Sequence, residues 1–140
     1  MKRWLLVLFV MFGAGFATAE PVALERGQVW TFADAPADTT RIVIGDVESF
    51  GPDGLIAVSV SIIGLPATGY GQVIHHLPFS EAALRPTLLD LESEAASLAP
   101  DYAGGYTTWK EAVEAGEAGI FTITPAEVIT DIFGTIGNAH

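Results

Sequence analysis

Two adjacent histidines, His75 and His76, stand in the stretch QVIHHLPFS (72–80) and are the residues of this chain best suited to chemistry. Imidazole titrates near neutral pH and is the commonest metal ligand, so the pair raises acid–base catalysis and metal binding together. In a regular strand, however, neighbouring side chains point to opposite faces. His75 is then expected on the side of Val73 and Leu77, and His76 on the side of Gln72 and Ile74. That separation denies them a shared metal ion. The third histidine, His140, is the last residue of the chain. No metal site is therefore assigned, and one of the pair is expected to be a buried, hydrogen-bonded core histidine.

Other nucleophiles and acids add little. Cysteine is absent, and none of the serines (Ser49, Ser59, Ser61, Ser80, Ser93, Ser97) sits in a Gly-x-Ser-x-Gly elbow. Ser80 lies near His76 in sequence, with Asp46 or Glu48 conceivable as an orienting group, but its place after Pro78-Phe79 suits a helix N-cap better. With 17 acidic residues some pair always meets a glycosidase spacing, so their number carries no information. The loop GLPATGYG (64–71) lacks the Lys-Ser/Thr of a nucleotide-binding loop. A second feature of interest is PDYAGGYTTW (100–109), which presents Tyr102, Tyr106 and Trp109 around two glycines. Such rings offer large contact areas with polar tips. No catalytic residue and no cofactor are assigned, and the candidate binding residues are His75, His76, Tyr102, Tyr106 and Trp109.

The start of the chain concerns destination. Lys2 and Arg3 precede an apolar run from Trp4 to Phe12 and a small-residue stretch ending Ala17-Thr18-Ala19, the pattern of a secretory signal peptide cut after Ala19. An apolar run of this length is too short for a permanent span, so no stable membrane anchor is expected after cleavage. The expected product is a single domain, residues 20–140, exported to the periplasm or the extracellular space and free of disulfides. It keeps four basic residues (Arg26, Arg41, Arg85, Lys110) against 17 acidic ones, a balance of −13. Phosphate contacts need Lys or Arg, so nucleic acid is not an expected partner; the acidity serves solubility and is compatible with a basic protein partner or a cationic ligand.

These residues must be positioned by a mixed set of elements. RGQVWTF (26–32), TTRIVIGDVESF (39–50), the alternating run through Ile56, Val58, Val60 and Ile62, and QVIHHL (72–77) read as four strands in sequence. Gly45 is a natural bulge, and GPDGL (51–55) is a tight reversal. The meander with its glycine-bent second strand, opening on Gly27-x-Val29-Trp30, resembles an SH3-like half-barrel over about 50 residues. After Ser80, leucines at 84, 88, 91 and 98 have helical spacing, although Pro86 interrupts it. Further helices are expected after the capping boxes Thr108–Glu111 and Thr124–Glu127, with a fifth strand at AGIFTIT (118–124) between them. The expected class is α+β: an antiparallel meander of about four strands, then helices and one further strand.

Three functional readings follow. The first is an exported, non-catalytic binding or interaction module. The second is a small exported enzyme or metal-binding protein using His75 or His76 with acidic residues. The third is an accessory subunit of an envelope complex, joined by strand addition.

Overall fold

The computed structural model describes residues 22–66 and 72–137. The signal-peptide reading, most of the GLPATGYG loop and His140 fall outside these residues. The fold is α+β, as expected. Its sheet contains β1 (Val29–Phe32), β2 (Arg41–Phe50), β3 (Leu55–Ile63), β4 (Ile74–Ser80) and β5 (Leu88–Ser93), arranged β4-β3-β2-β1-β5. Each neighbouring pair is antiparallel. The sheet is open, with β4 and β5 at its two ends. The β2–β3 reversal is tight because Gly51 and Gly54 adopt φ of 72° and 67°, a region that costs glycine little.

One face of the sheet carries the apolar core. Ile42 and Ile44 of β2, Val58, Val60 and Ile62 of β3, and Leu77 and Phe79 of β4 pack with Trp30 and Phe32. Helix α1 (Glu81–Leu84) contributes Leu84, and α3 (Pro125–Gly137) contributes Val128 and Ile129. Ser80 caps α1 by accepting the Ala83 N–H at 3.1 Å. The capping box of α3 is formed in both directions, Thr124 N–H to Glu127 Oε1 at 2.9 Å and Glu127 N–H to Thr124 Oγ1 at 3.1 Å. The Thr124 hydrogen bonds hold the Glu127 carboxylate below the usual glutamate range. The opposite face of the sheet lies beneath α2 (Tyr102–Glu114).

Three expected elements differ, among them α2, which begins at Tyr102 and not after Thr108. The helical leucine pattern after Ser80 stops at Leu84, where Arg85-Pro86-Thr87 form a 3-10 turn, and Leu88–Ser93 become β5. The long helix fails because Pro86 cannot continue it, while the free edge of β1 offers unpaired backbone groups to the next segment. Leu88 and Leu91, three apart, both turn inward because bulges interrupt the β1–β5 register, which pairs Leu88 with Phe32 and Leu91 with Trp30. The further strand is thus β5. The stretch 118–124 instead makes one parallel bridge, Phe121 to Phe79, along the outer edge of β4. Pro78 does not end β4; it sits inside this edge strand opposite Ser59, and its carbonyl accepts the Phe121 N–H at 2.9 Å.

Pro86 provides a direct check. Inside a helix its removal would stabilise the protein, but at the start of a 3-10 turn its preset φ restricts the unfolded chain. Pro86→Ala is expected to lower stability by about 0.4–1 kcal/mol in chemical denaturation. A gain in stability would contradict the turn assignment.

Candidate functional site

Four of the five candidate residues meet in one cluster between α2 and the sheet. Along α2, Tyr102, Tyr106 and Trp109 are spaced four and three apart and project from one side of the helix. Their ring centroids lie 5.5, 5.9 and 5.5 Å from that of His76. The expected helix start at the Thr108–Glu111 capping box is corrected: the helix begins at Tyr102, runs through Gly104 and Gly105, and holds Thr108 and Glu111 in its interior. Packing explains the exception to helix propensity. A Cβ on Gly105 would lie 2.9 Å from His76 Cβ, so the glycine lets the helix axis approach the strand.

The sheet beneath is built to receive those rings. Ala57, Ser59 and Ser61, on the small-residue face of β3, are 2%, 1% and 0% exposed. On β2 the step from Ile44↔Val60 to Val47↔Val58 places Gly45 and Asp46 opposite Ser59 alone, the expected glycine bulge. A Cβ on Gly45 would collide with the Tyr102 phenol. The bulge frees the Asp46 N–H from the ladder, and it donates to the Tyr102 hydroxyl at 2.9 Å. That hydroxyl in turn donates to Asp46 Oδ2 at 2.8 Å. Burial, the largest influence, pushes the Tyr102 phenol well above its ordinary range.

A second bulge corrects the expected separation of the histidines. Between Ile62↔Ile74 and Val60↔Leu77, β3 supplies only Ser61 while β4 supplies His75 and His76. Two residues opposite one break the alternation, so both imidazoles reach the α2 side. The Ser61 hydroxyl secures the irregular backbone by donating to the His75 carbonyl at 2.8 Å. His75, with its side chain 40% exposed, accepts the Asp101 N–H on Nδ1 at 3.2 Å, just before α2 begins. His76 lies deeper, with Nε2 2.9 Å from Ser59 Oγ. Desolvation lowers its imidazole from 6.5 to about 4, against the opposing pull of the Asp46 carboxylate. His76 is therefore neutral at physiological pH.

Sequence reading did not single out Ser59, which takes the place beside His76 once considered for Ser80. The contact resembles a nucleophile and its base, yet the Ser59 side chain is closed off from any substrate. Its signal in the sequence was its place among the small, half-polar residues of β3, which proves to be a second buried face. The rest of the cluster is equally occupied. Glu48 accepts from both Tyr106 and Lys110 Nζ, the latter at 2.7 Å, and Trp109 Nε1 donates to the Gly119 carbonyl at 2.8 Å. Arg26 Nη1 lies 3.1 Å from Asp46 Oδ2 and its guanidinium stands over the Tyr102 ring. Among the described residues, no three or more His, Asp or Glu side chains gather closely enough to hold a metal ion.

A separate open groove of about 710 Å³ runs along the start of α3 and is lined by Asp34, Ile123, Thr124, Glu127, Thr130 and Asp131. Asp34 itself has φ of 60°, a left-handed turn conformation that Asp and Asn tolerate better than other side chains. No family model, curated protein or solved structure matches the chain.

Gly45→Ala tests the fit of Tyr102 over the bulge. The added methyl must displace a buried ring, and a loss of about 1–3 kcal/mol is expected in denaturant unfolding. Unchanged stability would show that Tyr102 is not seated there.

Proposed function

We propose that the chain is an exported, non-catalytic binding module for a basic protein partner. One observation carries the first half of this reading: the polar groups most able to do chemistry are already engaged inside the domain. His76 is paired with Ser59, Tyr102 with Asp46, and Tyr106 and Lys110 with Glu48. An enzyme of either class considered from the sequence needs its base or nucleophile to meet a substrate. Here these side chains hold a helix to a sheet.

Charge supports the second half. The balance of −13 after Ala19 favours encounter with a basic surface, and the groove beside α3 supplies three carboxylates, Asp34, Glu127 and Asp131, on one side of the domain. Glu127 is committed to its capping box, which leaves Asp34 and Asp131 as the residues to vary. Strand addition has less support, because β5 is short, bulged and lined by Asp90 and Glu92, features that discourage pairing at an edge. Export rests on the basic, apolar and small-residue pattern of the first 19 residues.

The expected outcome joins both parts. Protein recovered from the producing cells' envelope should begin at Glu20 and retain a basic protein in pull-down at low salt. An Asp34→Asn, Asp131→Asn double variant or 0.5 M salt should reduce recovery about tenfold or more. A chain still beginning at Met1, or capture indifferent to salt and to both substitutions, would contradict the proposal.

A further inference from the structure

Helix α2 is attached differently from the rest of the domain. The buried apolar cluster draws on β1, β2, β3, β4, α1 and α3 and contains no α2 residue. Against the opposite face, α2 rests on a mixed layer of rings, hydroxyls and charges centred on His76. Its own helical tendency is weak. Two glycines fall in its first turn, where alanine would favour the helix more, and Asp101 makes no side-chain capping bond. An isolated helix of this length is marginal in water even with good helix formers, so α2 depends on its docking.

Among the described residues around His76, the carboxylate that favours its proton, Asp46, is already shared with other partners. From β3 comes Ser59, whose hydroxyl faces Nε2. Asp46 and Glu48 reach in from β2, but Asp46 already serves Tyr102 and Arg26, and Glu48 serves Tyr106 and Lys110. From α2 come the Tyr102, Tyr106 and Trp109 rings and the Lys110 ammonium, itself raised by its hydrogen bond to Glu48. On β4, the neighbouring His75 is turned to Asp101, with Nε2 3.8 Å from its carboxylate. A charge on the half-buried imidazole is paid for in lost solvation, and undocking the helix restores that solvation.

We propose that α2 is an acid-released cover: protonation of His76 undocks the helix from the sheet while the opposite, α3-packed side of the domain stays folded. The sign follows from the two states. Docked, the imidazole binds a proton only near pH 4, and undocked in water it does so near 6.5. Between these values the undocked form holds more protons, so docking is at full strength above about pH 6.5 and weakens as pH falls. For those two values, docking at pH 5 is about 30-fold weaker than at pH 7.5, before most free carboxylates titrate.

Amide hydrogen exchange on the purified protein at pH 7.5 and 5, corrected for intrinsic rates, reads this directly. Protection across Tyr102–Glu114 should fall about 30-fold at pH 5 while that of β2 and β3 holds. His76→Gln or His76→Phe should make α2 protection independent of pH, whether high or low, and His75→Gln should leave the wild-type response. Three results would overturn the proposal: no pH effect on α2, loss of protection in α2 and the sheet together, or a pH response that survives both His76 variants.

Discussion

A helix can lie flat on a β-sheet only where the sheet surface leaves room for its side chains. Here the room comes from Gly45, Ala57, Ser59 and Ser61, and from Gly105 on the helix side. The close approach then dictates the rest. Tyr102 must hang over the β2 bulge and take the backbone donor that the bulge releases. His76 must enter the layer between helix and sheet, where Ser59 is its hydrogen-bonding partner. Asp46 and Glu48 would be costly neighbours for the buried Tyr102 and half-buried Tyr106 phenols were they not balanced by Arg26 and Lys110 at the rim.

This layer shows how residues with catalytic chemistry can serve structure. A histidine with a serine and two tyrosines each with a carboxylate, hydrogen-bonded in pairs, look like machinery in a residue list. Burial and mutual satisfaction give them another role, because each donor that reaches an internal acceptor removes an orphaned polar group from a face that apolar packing alone does not fill. The result is a domain with two unlike interfaces around one sheet: an apolar one under α3, and a polar aromatic one under α2. Exposed acidic residues line the groove beside α3.

Much of the architecture was legible locally. The alternation of Ile56, Val58, Val60 and Ile62, the Gly51 and Gly54 reversal, the Gly45 bulge, the Ser80 cap and the Thr124–Glu127 box all encode their own geometry within a few residues. What escaped depends on partners far along the chain. Leu88–Ser93 has a helical apolar period and becomes a strand because β1, some 60 residues earlier, has an edge to cover. Gly104 and Gly105 read as a hinge by propensity, yet the helix runs through them because His76 lies beneath. The bulge at His75–His76 has no glycine to announce it, and period-two reasoning therefore sent one imidazole to the wrong face.

The state of His76 bears most directly on the docking of α2, since a half-buried ring packed under α2 and held by Ser59 loses solvation, whereas a working acid–base histidine must exchange protons with a substrate or with water. A nuclear magnetic resonance titration of the imidazole, assigned with the aid of His76→Gln, measures it. The account predicts a ring that stays neutral through pH 6 and titrates near 4. A midpoint at the ordinary value of about 6.5 would contradict it.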